Sequence, residues 1–173
     1  MKNIWMKYGA GALFVAVLTG IDQLTKQLAV RYLADGPFVI WDGVFELHYS
    51  INKGAAFGIL QDKRLFFLLS TCVILGAVLF FYSRLPRTKR YLPLHLVCLT
   101  ILAGALGNFL DRLRLEYVID FLYFKLIDFP VFNVADCYIT VSCVIFALLT
   151  FFYYGEEEWN LLFQGGKEKN AKV

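Results

Sequence analysis

Two aspartates, Asp120 and Asp136, sit in apolar surroundings: Val118-Ile119-Asp120-Phe121 and Phe132-Asn133-Val134-Ala135-Asp136. A carboxylate at or near bilayer depth is costly and calls for a function. Two carboxyls placed close together hold one proton between them, because like charges a few ångströms apart do not both ionise. That is the proton arrangement of aspartic proteases.

The other polar residues admit two readings each. Asp22 and Lys26 share a helix face at i, i+4, as a local ion pair anchoring the helix or as part of a site. Gly104, Gly107, Asn108, Asp111 and Arg112 lie on one helix face at i, i+3, i+4, i+7 and i+8. Small residues let helices approach, and Asn108 can hydrogen-bond across the contact. Asp111 and Arg112 read as neutralising each other at a helix end. Asn133 and Asp136 fit the N-cap and N3 positions of a capping-box variant, where a negative charge suits the helix dipole. On that reading Asp136 is the ionised member of the pair and Asp120 the protonated one. Asn52-Lys53-Gly54 reads as a turn, with Asn52 also placed to donate to a substrate carbonyl. Asp128, before Phe129-Pro130, reads as a surface acid.

Metal chemistry finds little support. Glu46 with His48, and His95 with Cys98, are only pairs, whereas a zinc site takes at least three protein ligands. His95 reads as a hydrogen-bonded structural residue. The cysteines show no metal or redox spacing. Cys72, Cys98 and Cys143 fall in apolar runs and read as packing residues. Cys137 has no histidine nearby in sequence to make it a nucleophile.

The elements that must position these groups are membrane helices. The chain has 173 residues, 59% hydrophobic and 18% charged, against about 45–50% and about 25% in soluble domains. Spans are expected from Tyr8 through Ile21 to about Tyr32, and over Leu65–Ser83, Tyr91–Leu110 and Tyr138–Tyr154; each approaches the length a bilayer needs. Asp22-Gln23 stands where a signal-peptide cleavage site would carry small residues, so the first span reads as a retained helix. Arg84, Arg87, Lys89 and Arg90 put the second linker inside. Both termini are then cytoplasmic, and 33–64 and 111–137 face outward. Ten of the fourteen acids, Asp22, Asp111, Asp120 and Asp136 among them, then fall at the outer side.

The fold expected is an α-helical integral membrane domain over 1–155, with four transmembrane helices. A charged, mobile cytoplasmic tail follows over 156–173. Phe38–Trp41 and Val44–Ile51 flank the Asp42-Gly43 turn signal, giving a β-rich cradle over about 35–63. Gly54 and Gly58 read as hinges. Tyr117, Phe121, Tyr123, Phe124, Phe129 and Phe132 suit the headgroup interface in an outer loop over about 111–137. The net charge of +3 and the absence of a basic–aromatic platform exclude a nucleic-acid partner.

Five segments in order carry a resemblance: Asp22-Gln23-Leu24-Thr25-Lys26, Asn52 to Gly58, Gly104 to Arg112, Val118 to Phe121, and Phe132 to Asp136. Together they resemble the lipoprotein signal peptidase, or bacterial signal peptidase II, family. The resemblance implies an aspartic endopeptidase that cuts diacylglyceryl-modified prolipoproteins before the lipidated cysteine. The family's catalytic aspartates fall on Asp120 and Asp136. The polar residues lining its site fall on Asp22, Lys26, Asn52, Asn108, Asp111, Arg112 and Asn133; Gly54 and Ala135, in the same segments, are read as supporting that site. It further implies no metal or cofactor and a monomer in the bacterial cytoplasmic membrane, working among lipids near the outer leaflet.

Two other classes compete. A proton- or cation-coupled transporter would place acids along a path and show inverted repeats; here the acids cluster at one side. A non-catalytic assembly subunit would use the same ion pairs as helix glue.

Overall fold

The computed structural model describes residues 2–54 and 63–164, with side chains over 9–54 and 63–163. The hinge expected at Gly58 therefore lies outside the described residues. Four long helices carry the chain: α1 (Lys2–Tyr32), α2 (Arg64–Arg84), α3 (Leu92–Arg114) and α4 (Val134–Phe152). Each contains a stretch long and apolar enough to cross a membrane.

The burial pattern explains how they assemble. α2 buries no residue and exposes Leu65, Leu69, Val73 and Phe80, an apolar surface of the kind that suits a membrane. α3 is the central helix, packed by α1, α2 and α4 alike. Its Gly104 and Gly107 make this possible: a Cβ at Gly104 would meet the Ala135 carbonyl, and one at Gly107 the Asp22 carboxylate. Of the cysteines in apolar runs, only Cys98 packs inside the protein; Cys72 and Cys143 lie on exposed helix faces.

α3 runs past the uncharged stretch to Arg114, and α4 starts at Val134, directly after the Asn133 cap. Asp111, Arg112 and Asp136 are therefore helical, as the helix-face and capping-box readings had them.

The outer cradle is a three-stranded antiparallel sheet. β1 (Phe38–Trp41) and β2 (Phe45–Asn52) form the expected hairpin, and Gly43 takes φ 69° in its turn. The third strand, β3 (Val118–Phe124), comes from the segment expected to be an aromatic loop. It pairs with β2 to give the order β1-β2-β3, with Ser50 opposite Asp120 and Asn52 opposite Val118. Phe121 does not sit at a headgroup interface; it is buried against Ala29 and Leu33.

Beyond Gly155 the expected mobile tail is, over its first residues, a helix: α5 (Glu156–Gln164). Three glutamates in its first turn complement the helix dipole. Leu162 is buried, Trp159 packs against Phe81 and Phe146, and Glu158 accepts from Arg90 Nε at 2.9 Å.

Candidate active site

A buried ion network forms the floor of the site. Lys26 is 1% exposed, and its ammonium reaches Asp22 Oδ2 at 3.0 Å, Asp111 Oδ2 at 2.8 Å and Asn108 Oδ1 at 2.8 Å. An ammonium has three donors, and all three are met. That is what allows a charge at this depth. Asp22 Oδ1 accepts from the Ala135 backbone N–H at 2.9 Å, tying α1 to the first turn of α4. The i, i+4 pair is therefore no isolated anchor. Asp111 does not pair with Arg112 either: besides Lys26 it accepts from Gln23 Nε2 at 2.8 Å and from the Ile119 backbone at 3.3 Å.

Two asparagines stand above this floor. Asn108 Oδ1 takes hydrogen bonds from Lys26 and, at 3.0 Å, from Asn133 Nδ2. Its own Nδ2 donates to Asp136 Oδ1 at 2.7 Å. Asn133 caps α4, and both halves of the expected capping box are present. Its Oδ1 accepts from the Asp136 N–H at 3.0 Å, and its N–H donates to Asp136 Oδ2 at 3.1 Å. Its Nδ2 also donates to Asp120 Oδ1 at 2.6 Å.

Asp120 hangs from β3 and is 2% exposed. Its second oxygen accepts from Asn52 Nδ2, on β2, at 2.9 Å. Burial pushes its carboxyl up to about 7; the nearby Asp136 charge adds to this, and the Asn52 and Asn133 hydrogen bonds and Lys26 oppose it. Asp120 therefore keeps its proton well above the ordinary carboxylate range.

Asn52 has both amide ends engaged, since its Oδ1 accepts from Gly54 N–H at 2.9 Å in an Asx turn. Arg112 donates to the Gly54 carbonyl at 3.3 Å, and its guanidinium lies 4.6 Å from the Phe67 ring centre. Gly54 is thus held from both ends. Of the sequence candidates, Asp22, Lys26, Asn52, Asn108, Asp111, Asp120, Asn133, Ala135 and Asp136 form one hydrogen-bonded network. Arg112 and Gly54 join it through Asn52. Asp128 stands apart, accepting from Tyr123 OH at 2.6 Å. His48 and Glu46 remain a pair at 3.7 Å, with Lys125 at 3.1 Å from Glu46. His95 contacts the Pro86 carbonyl at 3.2 Å, as a structural histidine would.

Two residues were missed. Gln23 braces Asp111 and the Gly107 carbonyl. Arg64 donates to the carbonyls of Arg112 and Leu113 and pairs with Glu116, closing the C-terminal end of α3. A cation at a helix C-terminus suits the dipole, but the partner elements lie far apart in sequence.

The arrangement presents two carboxyls from different elements, each oxygen held by an amide donor, one carboxyl protonated near neutrality and the other at a helix N-terminus. Such a pair serves general acid–base chemistry.

Comparison with known proteins points to one family. The profile of the family described as signal peptidase (SPase) II matches residues 14–152. A lipoprotein signal peptidase of Streptococcus pyogenes serotype M5 (strain Manfredo) is 39% identical over 146 residues, covering 83% of this chain and 93% of that protein. The serotype M18 (strain MGAS8232) protein of the same name matches equally. A bacterial membrane enzyme solved by the in meso method at 2.3 Å superposes with TM-score 0.71 at 28% identity, covering 95% of this chain and 94% of that one. A second, solved at 1.9 Å, gives TM-score 0.72 at 29% identity over 84% and 95% of the two chains.

Proposed function

The chain belongs to the signal peptidase II family, and from that premise we propose that Asp120 and Asp136 are the catalytic dyad of an aspartic endopeptidase. It removes signal peptides from prolipoproteins. The cut falls before the cysteine bearing the diacylglyceryl group, in keeping with the family resemblance. The observation that carries the aspartic reading is the Asn108–Asn133 amide pair, which reaches one carboxyl with each Nδ2.

The mechanism follows from the environments of the two acids. Asp136, at the N-terminus of α4, is the carboxylate and takes a proton from the attacking water. Asp120 holds its proton near neutral pH and donates it to the scissile carbonyl oxygen. Hydroxide adds to the carbonyl carbon and gives a gem-diol. On collapse the C–N bond breaks, Asp136 passes its proton to the leaving amine, and Asp120 recovers one from a hydroxyl. No covalent intermediate and no metal is needed. General acid–base help of this kind typically contributes about 10²–10⁴-fold.

Asp22, Lys26, Asn108, Asp111, Asn133 and Ala135 position the dyad. Asn52 orients Asp120 and, through the Asx turn, Gly54. Arg112, beside Gly54, borders the side from which substrate approaches. The basic residues Arg84, Arg87, Lys89 and Arg90 support a cytoplasmic α2–α3 linker. That places both termini inside and the sheet and dyad near the outer leaflet of the bacterial cytoplasmic membrane. The enzyme works as a monomer, its substrate's lipid chains lying beside the helices in the bilayer.

The test is cleavage of a diacylglyceryl-modified prolipoprotein by purified protein in lipid vesicles with a metal chelator present. Wild type should cleave it and leave the unlipidated precursor intact. Asp120→Asn and Asp136→Asn should each lose nearly all turnover while folded. Normal cleavage by either variant removes that aspartate from the chemistry; loss of wild-type cleavage in chelator removes metal independence.

A further inference from the structure

At the end of the bundle away from the dyad, α1, α2 and α3 part around a cavity of about 440 Å³. Gly11, on its wall, lies eleven residues from Asp22, or about 16 Å along α1. The cavity belongs to neither the dyad nor its supporting network. Phe14, Leu96 and Leu99 give it an apolar wall within the helices, and Arg87, Thr88 and Lys89 of the α2–α3 linker line it as well. Among the described residues, none that lines it is acidic.

The surrounding cations are not equally engaged. Arg84 lies over the Phe80 ring at 4.8 Å. Arg90 is held by Glu158 and by the Tyr153 carbonyl. Lys89, in the linker, has no ion-pair partner among the described residues. Inside, the Tyr82 hydroxyl faces Gly11, 3.2 Å from where a Cβ would stand, and it too has no hydrogen-bond partner among the described residues. The cavity thus offers an apolar slot between the helices, a spare hydroxyl and, at the α2–α3 linker, a basic mouth.

We propose that this cavity binds one anionic phospholipid, with its phosphate at Lys89 and Thr88 and one acyl chain between α1 and α3. A basic pocket between membrane helices at headgroup level suits an anionic lipid head. The volume lies at the small end of ligand pockets. It fits one chain and the glycerol region, while the second chain stays in the bilayer. A zwitterionic lipid would bring its own cation to a mouth whose charged residues, among those described, are cations. The site goes beyond the peptidase reading and does not depend on it, since it requires only that the four helices span a membrane.

Native mass spectrometry of detergent-purified protein tests it. The protein is titrated with phosphatidylglycerol or phosphatidylcholine of the same chains. Wild type should retain one phosphatidylglycerol in clear preference to phosphatidylcholine, and inorganic phosphate should not displace it. Lys89→Gln should weaken that retention by about fivefold, the value of one basic residue near a lipid surface. Gly11→Leu, which fills the slot and keeps the cations, should abolish it. Arg114→Gln, a cation removed at the other end of α3, should leave it unchanged. Equal retention of the two lipids overturns the proposal, as does unchanged retention in Lys89→Gln. Displacement by inorganic phosphate would make this a plain anion site and equally overturn it. Prolipoprotein cleavage by Lys89→Gln at the wild-type rate reports that the variant is folded.

Discussion

Asn133 and Asn108 meet across the α3–α4 contact, with Asn133 Nδ2 3.0 Å from Asn108 Oδ1. Each gives a hydrogen bond to a different aspartate: Asn133 to Asp120 at 2.6 Å, Asn108 to Asp136 at 2.7 Å. One amide pair therefore sets where both carboxyls sit, although they arise from a strand and a helix. Below it, Lys26 holds Asn108 Oδ1 and so fixes which end of that amide faces Asp136.

Asn133 combines two tasks that substitution can separate. It caps α4, and it links the dyad. Asn133→Ala removes both and should cost about 0.5–2 kcal/mol of stability for the cap alone. Asn133→Ser restores a capping oxygen but is too short to reach Asp120. Melting temperature should thus recover in Asn133→Ser. Turnover should stay about 2–10-fold low in both variants, the worth of a hydrogen bond between neutral groups. Recovery of turnover together with stability would reduce Asn133 to a cap.

The Asp120 proton gives a pH dependence with a definite sign. Below about 7 the carboxyl is protonated and able to donate; above it the acid is lost. kcat/KM for a lipidated substrate should fall on the alkaline side with an apparent pKa near 7. Asn52 stabilises the charged form of Asp120 through Nδ2, so Asn52→Ala should move that limb to higher pH. Stability follows the same linkage. A group that binds its proton more tightly folded than unfolded makes the folded state lose stability as pH rises, here from about 4 to about 7. Asp120→Asn should flatten that slope in thermal melts. A profile flat through pH 9, or a limb displaced downward by Asn52→Ala, would contradict the assignment.

Much of this was legible from short-range pattern. The spans follow from uninterrupted apolar runs, the hairpin from Asp42-Gly43, and the α4 capping box from Asn133 and Asp136. β3 was not legible because Val118 to Phe121 is buried throughout, which leaves no inward–outward alternation to mark a strand. Its pairing partner, β2, lies far away in sequence. α5 was hidden by Glu156-Glu157-Glu158, which read as a solvated tail; Trp159 and Leu162, at helical spacing, were the signal against that. The partners of Asp111 and Asn52 were not legible either, because side chains choose among neighbours only after the helices have packed.

The ion network makes a prediction about coupling. Lys26→Met leaves Asp22 and Asp111 buried without their cation and should destabilise by about 3–5 kcal/mol, as breaking a buried pair does. Adding Asp22→Asn should return part of that loss, because the two residues are in contact and their effects do not add. Denaturation of the single and double variants measures it. A double variant that loses the sum of the two singles would mean that the three charges act independently.

The glycines of α3 test whether close approach, rather than flexibility, is their role. In a helix interior, Gly→Ala ordinarily gains about 0.5–1 kcal/mol. Gly76 on α2 meets nothing within 4 Å of an added Cβ, so Gly76→Ala should be neutral or stabilising. At Gly107 the same methyl would collide with the Asp22 carboxylate, and at 3.3 Å it would press on Ala135 Cβ. Gly107→Ala should therefore destabilise by about 1–3 kcal/mol, the cost of overpacking. It should also reduce turnover, because Asp22 cannot yield without moving Lys26, and Lys26 holds Asn108. Thermal melts and cleavage rates of the two variants, side by side, decide it. If Gly107→Ala tracks Gly76→Ala in both, α1 and α3 do not depend on that close contact.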